Sequence, residues 1–73
     1  MSYEVTFFQL GGGSDWPVQC ETYIEALHVA RDARNSFAAT HPGEGLRLRT
    51  MKDKYQAVRR DGTVVFQARV TPL

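Results

Sequence analysis

Apolar and polar side chains alternate through residues 46–70, and this pattern constrains the fold more than any other feature of the sequence. A period of two is typical of β-strands that bury one face. The alternation predicts one strand from Leu46 to Thr50, a turn at residues 52–54, and two further strands on either side of Asp61-Gly62. Asp-Gly favours a two-residue type I′ turn between antiparallel strands. The turn predicts a hairpin in which Val58 lies opposite Val65.

The same alternation divides these strands into two faces. The residues predicted to face the core are apolar: Leu46, Leu48, Tyr55, Ala57, Val64, Phe66, Ala68 and Val70. The residues predicted on the outer face are arginines, glutamines, a threonine and two valines: Arg47, Arg49, Gln56, Val58, Arg60, Thr63, Val65, Gln67 and Arg69. The hairpin register pairs Arg60 with Thr63, Gln56 with Gln67, Ala57 with Phe66, and Tyr55 with Ala68.

Two strands are predicted before the helix. The first runs from Tyr3 to Leu10 and directs Tyr3, Val5 and Phe7 inward, which leaves Phe8 and Leu10 on the other face, under a loop or at a contact surface. The second is short, from Trp16 to Cys20. Pro17 places it at a sheet edge, because proline cannot donate a ladder hydrogen bond. We expect Trp16 to be buried over one end of the core.

One helix is predicted from Tyr23 to Phe37 or Ala38. It begins with a capping box, in which Thr22 and Glu25 each accept a hydrogen bond from the other's amide. Its apolar residues form one broad sector, and Arg34 falls within that sector. We expect the Arg34 guanidinium to reach water at the edge of the helix. Pro42 ends the helix, since it cannot continue one.

These elements predict an α+β fold for residues 1–73, taken as a single small domain. The sheet is mostly antiparallel, the order is β-β-α-β-β-β, and the helix packs on one face. The only cysteine, Cys20, rules out an internal disulfide and suits a reducing compartment. No apolar run approaches the roughly 18 residues that a membrane span needs. The first residues lack the features of a signal peptide, so a cytoplasmic location is expected.

The charges are divided between the two parts of the sequence. Residues 1–45 carry two arginines and six carboxylates, a net charge of −4, and residues 46–73 carry seven basic and two acidic residues, a net charge of +5. Such asymmetry indicates an acidic partner for one surface. The alternative is that the two parts neutralise each other within the domain.

Motifs for catalysis or cofactor binding are incomplete. Gly11-Gly12-Gly13 lacks a third spaced glycine and precedes a strand, so it does not match a dinucleotide-binding loop. His28 and Asp32 are one helical turn apart, but no third ligand lies at a suitable spacing. Cys20 stands beside Glu21, which disfavours a thiolate nucleophile. We expect no enzymatic activity, no metal and no cofactor.

The layout of a strand, a Trp16 strand, a Glu25-Ala26 helix and an Asp61-Gly62 hairpin resembles small α+β domains of bacterial antitoxins and phage proteins. The shared residues are generic, so no functional residue is transferred. The outer face remains the candidate site. Guanidinium groups bind carboxylates and phosphates, and interface cores often combine arginine with apolar side chains.

We therefore expect a non-enzymatic protein–protein interaction module, of the kind found among small phage or bacterial inhibitors and accessory proteins, including anti-CRISPR and anti-host proteins. Its partner would present an acidic or nucleic-acid-binding surface, and no membrane is involved. The predicted contact residues are Arg47, Arg49, Val58, Arg60, Val65, Gln67 and Arg69. Direct nucleic-acid binding through the same face is the alternative. It is less favoured because the aromatic residues of these strands point inward. A homodimer is also expected from the small size and the valine pair.

Overall fold

The computed structural model of the chain describes residues 2–13 and 16–73, so Ser14 and Asp15 of the predicted glycine-rich turn lie outside it. The strands are β1 (Tyr3–Gln9), β2 (Val18–Cys20), β3 (Arg47–Thr50), β4 (Lys54–Val58) and β5 (Val64–Pro72). Helix α1 (Tyr23–Ala39) follows β2, and a short 3-10 turn (Pro42–Glu44) leads into β3.

The five strands form one antiparallel sheet in the order β2-β1-β5-β4-β3, and α1 packs on one of its faces against β5, β4 and β1. The predicted α+β fold and element order are confirmed. Strand β5 is central because it pairs with both β1 and β4. Strand β2 lies at an edge, as Pro17 predicts.

The hairpin between β4 and β5 keeps most of its predicted register but not its predicted turn. Gly62 has a φ of 93°, whereas no non-glycine residue in the described part of the chain has a positive φ, so Asp61 cannot complete a type I′ turn. The Arg59 amide donates to the Thr63 carbonyl at 2.8 Å, which closes a three-residue loop. Arg60 therefore lies within the loop instead of opposite Thr63.

A β-bulge absorbs the additional loop residue. Val58 pairs with Val64, not with the predicted Val65, and the register shifts between Ala57 and Val58. Beyond the bulge the pairs are those predicted: Ala57 with Phe66, Gln56 with Gln67, and Tyr55 with Ala68. A bulge places two residues of one strand opposite one residue of the other. The residues that face outward near the turn therefore differ from those that simple alternation predicts.

The core lies between α1 and the sheet. Small residues line the contact, and Ala26, Ala30, Ala57 and Ala68 are fully buried. These alanines allow the helix to approach closely, and the Phe37 ring stacks on Phe66 with centroids 4.9 Å apart.

Three residues predicted as core are more exposed than expected. Leu48 is exposed because β3 is an edge strand that α1 barely reaches, and Val64 is half-buried beside the bulge. Trp16 is 89% exposed and does not cover the core, so that prediction is wrong.

Helix α1 begins as predicted but extends slightly further. The Thr22 hydroxyl accepts a hydrogen bond from the Glu25 amide at 3.1 Å, which forms one half of the capping box. The helix ends at Thr40, whose amide donates to Ser36 and Phe37 carbonyls. Gly45 then adopts a left-handed conformation with a φ of 60° before β3 begins.

The Arg34 side chain is buried, which contradicts the predicted exposure of its guanidinium. Its Nη1 donates to the Arg49 carbonyl at 3.0 Å and to the Thr50 hydroxyl at 2.8 Å. The guanidinium also lies 5.0 Å from the centre of the Tyr55 ring. These contacts replace water, so a charged residue joins the helix to the edge strand β3.

Candidate interaction face

The face of the sheet opposite α1 is called the outer face. The strand registers place the following side chains there: Glu4, Thr6, Phe8, Arg47, Arg49, Lys54, Gln56, Val58, Gln67, Arg69 and Thr71. Within residues 2–13 and 16–73, neither α1 nor another strand covers this face. An antiparallel sheet can leave one face to solvent, and its composition then decides what it can bind.

The outer face carries four cations and one carboxylate. Arg47 and Arg49 project from β3, Lys54 from β4 and Arg69 from β5, whereas Glu4 on β1 is the acidic residue. The ion pairs found among the described residues involve other cations: Arg31 with Asp32 and Arg59 with Glu44. The positive charge of the C-terminal part is therefore concentrated on one face and available to an anionic partner.

The predicted site residues Arg47, Arg49, Gln67 and Arg69 do lie together on this face, but Arg60 does not join them. An added Cβ on Gly45 would meet the Arg60 Nε at 3.1 Å, which shows that the Arg60 side chain rests against Gly45. The three-residue hairpin loop causes this placement, since it removes Arg60 from the strand.

The predicted valine pair is inaccessible. Val58 is 0% exposed and Val65 is 3% exposed, and Val65 belongs to the core cluster. The accessible apolar side chains on this side come instead from β1 and the residue after it. Phe8 is 48% exposed and pairs with Gln67, and Leu10 is 45% exposed and donates its amide to the Val65 carbonyl. The pairing of β1 with β5 places Phe8 diagonally from Arg69, whereas Arg47 and Arg49 lie two strands further away, on β3.

Two glutamines lie at the middle of the outer face. The Gln56 Nε2 donates to the Gln67 Oε1 at 2.7 Å across the β4–β5 pair. The Gln56 Oε1 is buried and, within the described residues, has no hydrogen-bond donor. An unsatisfied buried acceptor costs about 1–3 kcal/mol.

The other candidate groups stay apart. His28 and Asp32 are exposed on α1, and Asp32 pairs with the adjacent Arg31 at 3.3 Å. Burial raises the pKa of the Cys20 thiol, and the neighbouring Glu25 carboxylate raises it further, which disfavours a thiolate. In the described ranges, no three His, Cys, Asp or Glu side chains are grouped so that they could hold a metal ion. None of the helical segments in those ranges has the length and hydropathy needed to cross a bilayer.

The sequence predicted Arg47, Arg49 and Arg69 on the outer face because strand parity alone places them there, but it assigned Lys54 to the turn before β4. It placed Phe8 and Leu10 on the face away from the core, but it did not pair β1 with β5, which requires contacts between distant parts of the chain. Comparison of the chain with protein-family models, with curated proteins and with solved structures finds no match.

Proposed function

We propose that this chain is a non-enzymatic binding module whose outer face contacts an acidic surface of another protein. The observation that carries the proposal is the outer face, on which four cations of β3, β4 and β5 lie to one side of the accessible Phe8 side chain on β1. Arginine and aromatic residues are enriched in the cores of protein interfaces. A module of this kind acts by occupying a partner's surface, as a small inhibitor or accessory subunit of a phage or bacterium does.

The exposed arginines and apolar side chains of the outer face favour binding over a wide surface, not binding in a deep cavity. Arg47, Arg49 and Arg69 are exposed, and each guanidinium has five donors that suit carboxylates. Phe8 and Leu10 add apolar area that loses water when a partner binds. Acidic side chains on the partner would pair with the cations, and apolar side chains of the partner would contact Phe8.

Single-stranded nucleic acid is the second candidate, and Phe8 is the observation that favours it. Sheet-based single-strand binders combine a positive surface with aromatic rings on which bases stack. Phe8 supplies one such ring beside Arg69 and Gln67. A protein partner is preferred because one ring stacks one base, whereas the apolar area continues to Leu10.

A charge reversal on the outer face tests the proposal. Arg49→Glu is compared with Arg31→Glu, which changes the net charge equally on the exposed side of α1. Wild-type protein and both variants are used to capture proteins from a nuclease-treated bacterial lysate, followed by mass spectrometry. We expect specific partners to bind wild type and Arg31→Glu, and to bind Arg49→Glu at least about tenfold more weakly, since a charge-assisted hydrogen bond contributes about 1.5–3 kcal/mol.

Titration with single-stranded oligo-dT separates the two candidates. Oligo-dT binding that weakens steeply with salt, and that is lost in both Arg49→Glu and Phe8→Ala, would favour nucleic acid. Partner capture that is equal for Arg49→Glu and Arg31→Glu, together with no oligo-dT binding, would remove the outer face as the contact surface.

A further inference from the structure

A shallow groove lies at one end of the outer face, between the β3–β4 turn and the last residues of β5. It has a volume of about 270 Å³, and its lining includes Lys52, Asp53, Lys54, Arg69 and Thr71. Pockets for drug-sized ligands occupy roughly 300–1,000 Å³. The groove therefore suits a small charged group with a short substituent.

Two cations of the groove lie directly opposite each other on neighbouring strands. Lys54 pairs with Arg69 in the β4–β5 register, and the neighbouring pair is joined by a hydrogen bond from the Val70 amide to the Asp53 carbonyl at 2.8 Å. Hydrogen-bonded and non-hydrogen-bonded pairs alternate, so Lys54 and Arg69 form a non-hydrogen-bonded pair, in which side chains lie closest. Like charges in this position destabilise a sheet unless an anion joins them.

The side chains directly opposite this pair do not neutralise it, and Glu4, the carboxylate of the outer face, lies opposite Thr71 and therefore diagonally from Arg69. On its other side Arg69 faces the uncharged Thr6. Within residues 2–13 and 16–73, no carboxylate forms an ion pair with Lys54 or Arg69. The nearest acidic lining residue, Asp53, uses its Oδ1 to accept a hydrogen bond from the Tyr23 hydroxyl at 2.8 Å. The three cations and the one carboxylate of the lining give the groove a net charge of +2.

We propose that this groove binds the phosphate group of a small phosphomonoester, with Lys54 and Arg69 as its principal ligands. A phosphomonoester carries a charge of about −1.5 to −2 near neutral pH, which matches the groove better than a single carboxylate does. The guanidinium can donate two parallel hydrogen bonds to phosphate oxygens, and the ammonium adds a point charge. The proposal does not depend on the identity of the protein partner, although Lys54 and Arg69 belong to both sites.

The probe for this site is glycerol 2-phosphate, titrated into ¹⁵N-labelled protein and followed by amide chemical shifts at constant ionic strength. We expect saturable shifts centred on residues 52–54 and 69–71. Lys54→Gln should weaken binding about tenfold, in line with the loss of one charge-assisted contact. Arg47→Gln, on the same face but outside the groove, is the matched control and should leave the dissociation constant unchanged.

Two further measurements distinguish the site from general attraction to a basic surface. Asp53→Asn keeps an acceptor for Tyr23 but removes the carboxylate charge, so it should tighten glycerol phosphate binding severalfold. Binding should weaken from pH 7.5 to pH 5, because the phosphate loses its second charge near pH 6.

Chloride or sulfate shifts that match those of glycerol phosphate at equal ionic strength would overturn the proposal. Equal weakening by Lys54→Gln and Arg47→Gln, or shifts that never saturate, would also overturn it. Loss of glycerol phosphate binding in Lys54→Gln with protein capture retained would separate this groove from the interaction face.

Discussion

Arg34 is only 6% exposed, and its guanidinium has no carboxylate among its described hydrogen-bond partners. It donates to a backbone carbonyl, a hydroxyl and the Asn35 side chain, and it stacks near Tyr55. Desolvation lowers the pKa of Arg34, and the charge remains because arginine is protonated throughout the accessible pH range. Neutral oxygen acceptors and an aromatic ring therefore offset the loss of hydration.

Two substitutions of Arg34 should separate the contribution of the guanidinium's geometry to stability from the contribution of its charge. Arg34→Lys keeps a buried charge but cannot form the same fork, so we expect it to destabilise the fold by about 2–3 kcal/mol. Arg34→Met removes the charge and fills similar space, and should cost about 1 kcal/mol. Urea unfolding monitored by circular dichroism gives both values.

Arg31→Met, on the exposed side of the same helix, is the control and should change stability by less than about 0.5 kcal/mol. If Arg34→Met proved more destabilising than Arg34→Lys, the charge itself would be the stabilising feature.

At the level of the element, the β4–β5 hairpin shows how a local motif is modified by the sheet around it. Asp61-Gly62 correctly predicts a turn, and the pairs from Ala57 to Phe66 onward follow from strand alternation. The turn type differs because only Gly62 has a positive φ, and the Asp61 carboxylate instead accepts a hydrogen bond from the Thr63 amide at 2.9 Å. Hydrogen bonding from Thr63, from its side chain first and its amide second, lowers the pKa of Asp61.

The left-handed conformation of Gly62 predicts a measurable cost for alanine. Gly62→Ala should destabilise the fold by about 1–2 kcal/mol, because a Cβ at positive φ crowds the following carbonyl oxygen. Gly43→Ala is the matched control: its φ is not positive and an added Cβ meets nothing within 4 Å. Thermal unfolding of both variants tests this difference, and equal melting temperatures would contradict the strained turn.

At the level of the whole molecule, the basic residues of the C-terminal part are concentrated on the outer face of the sheet. Of the two described ion pairs, one joins a basic residue of the C-terminal part, Arg59, to an acidic residue of the N-terminal part, Glu44, at 3.6 Å, and the other joins Arg31 to Asp32 within the N-terminal part. The four cations of the outer face are not part of these pairs. A second copy bound face to face would bring like charges together, so the outer face disfavours the expected homodimer.

Trp16 lies two residues before the edge strand β2 and can report on contacts near that edge. Its side chain is 89% exposed, so its fluorescence should be quenched by acrylamide nearly as efficiently as that of free tryptophan. The quenching should not change between low and high micromolar protein. Light scattering provides the matching measurement of mass. Quenching that decreases as the mass doubles would place a second copy over Trp16 and support a homodimer that covers this residue.

Strand alternation, the Thr22 cap and the turn dipeptide are local signals, and they determined the element order, the start of the helix and the arginines of β3 and β5 on the outer face. The position of β1 beside β5, the bulge at Val58 and the burial of Arg34 depend on contacts between residues far apart in the chain. Because of those contacts, the predicted apolar residues Val58 and Val65 are buried, and Phe8 and Leu10 are the accessible ones. A period of two assigns a side chain to a face, but only the packing of neighbouring elements decides whether that side chain meets water.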